Sequence, residues 1–241
     1  MNLLVLPCAG GSATLYSRWR RRLPSWLRLV PVELPGRGMR MGEPCVEDFG
    51  QLIAQLCDEY DDYFNEPYAL FGHSMGALLA YGIAQRLRLL QRPLPKMLFA
   101  SASPAPSCRD PDFLSTRNSD ADLIADLRGQ DGTPEEVFAN DELLQLTLTT
   151  LRADYRVCAS FHYTALQPLP LPIQVFAGRQ DDIAPERLAA WCEEAAGGFQ
   201  LESFDGGHFF IRQQESAVVS AIVRELTRRL GGRMRTPEPI F

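Results

Sequence analysis

The chain lacks the features that would place it in several large protein classes. It has no excess of positive charge. Its 241 residues carry a formal net charge of −6 at pH 7, whereas nucleic-acid binding rests on a basic surface; overall charge argues against a nucleic-acid partner. No stretch approaches the ~20 consecutive apolar residues that a membrane helix needs. The N-terminal MNLLVLPCAGG has neither the basic n-region nor the long apolar run of a signal peptide. The six cysteines, at positions 8, 45, 57, 108, 158 and 192, form no Cys-x-x-Cys pair, and no two stand at zinc-ligand spacing. These absences lead to the expectation of a reduced, cytoplasmic protein that uses no structural metal and no cofactor and does not enter a membrane. Histidine is scarce as well: there are three, at 73, 162 and 208, so the candidates for a catalytic base are few.

With 46% hydrophobic and 22% charged residues, the composition is that of an ordinary globular domain, and the length suits one α/β unit carrying an insertion. Short apolar runs recur at Leu3–Leu6, Leu29–Leu34 (interrupted by Pro31), Tyr68–Phe71, Met97–Ala100, Ile173–Phe176 and Gln200–Phe204. Segments of helical periodicity lie between them. One runs from Phe49 to Phe64 behind a possible Asp48 cap, a second from Ala77 to Leu87 and a third from Val218 to Leu230. Alternation of this kind predicts βα units and a mostly parallel central sheet flanked by helices. The span 105–172 breaks the alternation. Thr133 and Glu136 have capping-box spacing with Pro134 at the first helical position, and Leu144, Leu148, Leu151, Tyr155 and Cys158 form a longer helical stripe. Helices without strands suggest an insertion above the sheet, either a lid over a pocket or a helical cover for the core. A single domain is expected over 1–230, with a frayed tail over 231–241.

Gly72-His73-Ser74-Met75-Gly76 fits Gly-x-Ser-x-Gly, between the strand Tyr68–Phe71 and the helix that begins after it. This is the context of a nucleophile elbow, and it makes Ser74 the candidate nucleophile of an α/β-hydrolase. A serine hydroxyl needs a base. His73 lies within the elbow with its side chain directed away, His162 lies in the insertion, and His208 follows the last strand, where this fold supplies its base. The base needs an acid to orient it. Asp181 and Asp182 both follow the strand Ile173–Phe176. The Gly178-x-x-Asp181-x-x-x-Pro185 frame favours Asp181, with Asp182 as the alternative. The order Ser74, Asp181, His208 is the one this fold requires. For the oxyanion, the Met75 amide follows from its place after the nucleophile. The Pro7-Cys8-Ala9-Gly10-Gly11-Ser12 loop offers the Ala9 amide, or else that of Gly10.

At these residues the sequence resembles the stand-alone type II thioesterases of polyketide and nonribosomal peptide assembly lines. The resemblance covers roughly residues 3–230. It is carried by Leu6-Pro7-Cys8-Ala9-Gly10-Gly11-Ser12-Ala13, by Leu34-Pro35-Gly36-Arg37-Gly38 with Arg40 and Glu43-Pro44, and by the elbow. Leu151-Arg152-Ala153-Asp154-Tyr155 and Phe204-Asp205-Gly206-Gly207-His208-Phe209 add to it. It implies hydrolysis of misloaded or stalled acyl groups from the phosphopantetheine arms of acyl or peptidyl carrier proteins. It also implies a triad of Ser74, Asp181 and His208, oxyanion donors at Ala9 and Met75, and a lid over 105–172. Cys8 stands where that family more often has His or Tyr. Arg18, Arg20, Arg21 and Arg22 beside Trp19 could attract an acidic carrier or could be a solvated face. A monomer is expected. The same residues also suit a general carboxylesterase or acyltransferase, and less well a non-enzymatic binding module of the same fold.

Overall fold

The computed structural model describes residues 1–110, 116, 119–130 and 132–231. Six strands form one sheet: β1 (Asn2–Leu6), β2 (Arg28–Pro31), β3 (Tyr68–His73), β4 (Leu98–Ser101), β5 (Ile173–Gly178) and β6 (Phe199–Phe204). Their order is β2-β1-β3-β4-β5-β6, and every pairing is parallel. The central strands are apolar on both faces because both are covered. Leu4 and Leu6 of β1, Leu70 of β3, Leu98 and Ala100 of β4, and Ile173 and Val175 of β5 enter one core layer. Leu3, Val5, Ala69, Phe71, Phe99 and Phe176 enter the other.

The first layer is closed by α1 (Phe49–Glu59), α2 (Asp61–Phe64) and α3 (Met75–Leu89). Asp48 caps α1 by accepting a hydrogen bond from the Gln51 amide. The single helix expected from Phe49 to Phe64 is broken at Tyr60, whose hydroxyl accepts the Glu33 amide at 3.1 Å. The second layer is closed by a 3₁₀ helix at Ala13–Arg21, which buries Tyr16 and Trp19, and by the C-terminal helices that follow His208. Strand β2 ends at Pro31 rather than reaching Leu34. It is an edge strand, where the missing proline N–H is tolerated.

Between β4 and β5 the described residues contain no strand. They form α4 (Asp120–Gly129), α5 (Glu135–Phe138) and α6 (Asp141–Ala159) around a small apolar cluster of Leu123, Leu148, Leu151 and Tyr155. The expected Thr133–Glu136 capping box is not formed. Pro134 itself is the N-cap of α5, with ψ of 144° and no capping side chain. The helix therefore starts one residue later than the box requires, and Glu136 cannot reach back. Helix α6 begins instead behind Asn140, whose side chain accepts the Glu142 and Leu143 amides. After β5 come α7 (Pro185–Ala189), a 3₁₀ turn and β6. The described residues then finish with α8 (Phe210–Gln213) and α9 (Glu215–Gly231). Helix α9 is described as far as Gly231; the remainder of the expected tail lies outside the described residues.

Candidate active site

Parallel strands bring their C-terminal ends to one edge, and the order reverses around β1 and β3. Loops after these strands therefore diverge at the edge where an open α/β sheet usually binds its ligand. Gly72 on β3 pairs with Leu6 on β1, and His73 pairs with Ser101 on β4. The elbow thus stands between the loop after β1 and the end of β4.

Ser74 sits at φ 55° and ψ −114°, a conformation that costs a non-glycine residue about 1–3 kcal/mol. Its glycine neighbours are needed for close approach. A Cβ on Gly72 would stand 2.0 Å from the Gly76 carbonyl oxygen, and one on Gly76 would stand 2.3 Å from that of Leu6. From Tyr68 to Gln85, Ser74 alone is not buried. The sharp turn thus lifts one hydroxyl out of an otherwise closed core. That hydroxyl has no hydrogen-bond partner among the described residues.

Ser101 holds the turn from the next strand, a role the sequence did not suggest. Its carbonyl accepts the Ser74 amide at 2.8 Å, and its hydroxyl lies 3.0 Å from His73 Nδ1. His73 is fully buried, and its ring centroid is 5.3 Å from that of His208. Burial first, and then the charge of His208, push the His73 pKa well below its ordinary value, so the ring stays neutral.

Gly178 pairs with Phe204 at the ends of β5 and β6, so the loops that follow are neighbours. A Cβ on Gly178 would lie 2.4 Å from the Gly207 carbonyl oxygen. Only glycine lets the two backbones approach this closely. The result is that His208 Nδ1 lies 3.2 and 3.1 Å from the two Asp181 carboxylate oxygens. The histidine side chain is 15% exposed and the aspartate 8%. Donation from Nδ1 to the carboxylate leaves Nε2 as the acceptor nitrogen of the neutral ring. Asp182 is exposed to solvent, and His162 lines a separate shallow groove between α1 and α3.

In the loop after β1, the Gly10 amide donates to Asp154 Oδ2 at 2.7 Å. This occupied N–H removes Gly10 as an oxyanion donor. The Ala9 N–H has no acceptor among the described residues. Met75 occupies the first position of α3, where an N–H has no intrahelical acceptor. Cys8, behind the loop, is buried, and burial pushes its thiol up to about 12, so it remains a neutral packing group.

Asp154 belongs to α6 and is itself gripped by Arg37 through two hydrogen bonds, at 2.6 and 2.7 Å. Side-chain exposures are 7% for Arg37 and 1% for Asp154. Burial alone would lower the Arg37 pKa, but the charge and hydrogen bonds of Asp154 outweigh it and raise the value. Of the arginine cluster near the N-terminus, Arg22 pairs with Glu215 at 2.7 Å, while Arg18, Arg20 and Arg21 are exposed around buried Trp19.

A parallel sheet in this strand order, with a strained serine between β3 and α3 at its C-terminal edge, defines the class: this is an α/β-hydrolase. Within that class the chain belongs to the thioesterase domain family, whose model matches residues 1–227. It is similar to linear gramicidin dehydrogenase LgrE of Brevibacillus parabrevis, 36% identical over 228 residues that cover 93% of this chain and 87% of that one. Among solved structures it is similar to the RedJ thioesterase from the prodiginine biosynthetic pathway of Streptomyces coelicolor. That match has a TM-score of 0.86 and 33% identity, covering 93% of this chain and 90% of RedJ. The type II thioesterase BorB from the borrelidin biosynthetic cluster aligns with a TM-score of 0.83 and 37% identity, over 93% of this chain and 92% of BorB. LgrE bears a dehydrogenase name, whereas the matched family and both structures are named as thioesterases. Among the described residues no helix is long and apolar enough to cross a membrane.

Proposed function

We propose that this protein is a type II editing thioesterase, which hydrolyses acyl groups from the phosphopantetheine arms of acyl or peptidyl carrier proteins. The observation that carries the reading is the His208–Asp181 pair, built from the loops after β6 and β5, with the His208 ring centroid 5.3 Å from that of His73, the residue next to strained, partly exposed Ser74. In this reading His208 takes the Ser74 proton as the hydroxyl oxygen attacks the thioester carbonyl. Asp181 keeps the ring in the tautomer with Nε2 free and stabilises the imidazolium. The Ala9 and Met75 amides receive the oxyanion. The carbon–sulfur bond breaks, His208 returns the proton to the departing thiolate, and an acyl-Ser74 ester remains. Water, deprotonated by the same histidine, then releases the acid and restores the serine.

The relatives support an assembly-line setting: LgrE is named for linear gramicidin and BorB for the borrelidin cluster. We read the carrier as a cytoplasmic partner of a monomeric enzyme. Contact rests on local features such as exposed Arg18, Arg20 and Arg21, because the net charge of −6 disfavours long-range attraction to an acidic carrier. The helices of 105–172 are read as the lid over the acyl chamber.

The test compares kcat/KM for one acyl group on a carrier protein, on coenzyme A and on a cysteamine thioester. A preference of about tenfold or more for the carrier, each tenfold reflecting about 1.4 kcal/mol of docking energy expressed in the transition state, is expected. Equal values for all three would remove the carrier and return the protein to a general carboxylesterase or acyltransferase.

A further inference from the structure

Two motifs without an assigned role meet in the core: Arg37 from the loop after β2 and Asp154 from α6, 117 residues apart. Their ion pair does more than join α6 to the sheet, because each partner also holds the loop after β1. Asp154 Oδ2 accepts the Gly10 amide at 2.7 Å, and Arg37 donates to the Gly11 carbonyl at 3.2 Å. The Gly11 amide in turn donates to the Cys8 carbonyl at 3.0 Å. That carbonyl shares a planar trans peptide with the Ala9 N–H, and the two groups point in opposite directions. Tying the carbonyl to Gly11 therefore aims the Ala9 N–H the other way. Gly10, at φ 68°, makes the turn between these anchors.

We infer that Arg37 and Asp154 are positioning residues for the oxyanion donor: the buried pair clamps Gly10 and Gly11 so that the Ala9 amide is oriented before substrate arrives. This rests on the hydrolase reading of Ser74 and Ala9. The geometry also explains why an ion pair rather than apolar packing fills this place. A carboxylate can accept the Gly10 amide and both arginine nitrogens at once, and a leucine can accept neither. Preorganised donors cost no rearrangement when charge develops, which is why their aim matters more than their mere presence.

The test separates positioning from structural support. Replacing both partners with apolar residues of similar volume, as Arg37→Met with Asp154→Leu, is the substitution that buried ion pairs commonly tolerate, but it leaves the Gly10 amide without its acceptor. Cooperative melting establishes the fold, and complete end-point labelling of Ser74 by a fluorophosphonate counts the active sites. The expected result is full labelling at a rate reduced about 10- to 100-fold, with an equal fall in kcat on a cysteamine thioester and KM within about threefold. A folded double variant with kcat and labelling rate within about threefold of wild type would overturn the inference, since structural support alone is restored by the apolar pair. Asp154→Asn, which keeps one acceptor oxygen, is expected to fall between the two. It decides by the same criteria if the double variant does not melt cooperatively. A wild type that labels at Ser74 but cleaves no thioester would defeat the thioesterase reading, and the labelling rates would still decide the role of the pair.

Discussion

The two ends of α6 belong to different regions of the molecule. Toward its N-terminus Leu143 and Leu146 are 45% and 46% exposed, and among the described residues Leu144 and Leu148 pack on the small apolar cluster around Leu123. Toward its C-terminus Val157 and Cys158 enter the main core, and Asp154 is locked to Arg37. A helix that reads as part of one insertion is therefore half cover and half foundation. The sheet, the elbow and the last turns of α6 form a body in which the backbone turn sets Ser74 and the loops after β5 and β6 bring His208 to Asp181. Among the described residues the first turns of α6 and helix α4 share one small apolar cluster apart from the main core, the condition for local opening. On this account the chemistry resides in the body and the outer insertion controls only access.

The largest expected effects lie in the body. His208→Ala should lower kcat by roughly 10⁴-fold with the fold intact, and Asp181→Asn should come close to it, while Asp182→Asn stays within about threefold. A reversed ranking of the two aspartates would break the assignment of the carboxylate. Next, Arg37→Ala should cost about 3–5 kcal/mol of stability by denaturant unfolding, because it strands a buried charge. Leu146→Ala at the exposed end of the same helix should change stability by less than about 0.5 kcal/mol. Similar losses for both would mean that α6 is anchored evenly along its length.

A smaller effect concerns His73. Its pKa is lowered in the folded state, so above the ordinary value of 6.5 the ring is neutral in both states and costs nothing. As pH falls below that value the unfolded chain takes up a proton that the buried ring refuses, and stability drops by up to about 1.4 kcal/mol per pH unit. The His73→Gln variant should lose less stability than wild type between about pH 7 and 5, measured as the difference in unfolding free energy. Parallel pH profiles would show that His73 is not held neutral. The smallest expected difference is within α6: amides near Leu146 should exchange with solvent at least about tenfold faster than those near Val157, or about 1.4 kcal/mol in opening free energy. Uniform exchange would count against a lid with a fixed base.

The parts of the site carried by local pattern were legible in the sequence. Gly-x-Ser-x-Gly between a strand-like and a helix-like run locates the elbow, and the glycines at 178, 206 and 207 mark the loops that bring Asp181 and His208 together. What was not legible depends on contacts between distant segments. Ser101 is an ordinary serine at the end of a strand until the sheet register places it beside His73. Arg37 and Asp154 read as polar motif residues, although one signal was available: Asp154 lies three residues after Leu151 and four before Cys158, on the apolar stripe of its helix. A carboxylate on a buried stripe requires a cation, and only the fold shows which one. The break at Tyr60 and the late start of α5 were missed because helix ends are decided by single hydrogen bonds and by proline geometry, which periodicity does not report.

The central claim, that Ser74 in a preformed body cleaves carrier-bound thioesters, is tested most directly by following one acylated carrier protein by intact mass. Wild-type enzyme should return the carrier to its free-thiol mass and release one equivalent of acid, whereas Ser74→Ala, folded to the same melting temperature, should leave the carrier acylated, with a rate lower by about 10⁴-fold or more. Release by Ser74→Ala within tenfold of wild type would contradict the account, because the acyl group would then have left by a route in which the elbow serine takes no part.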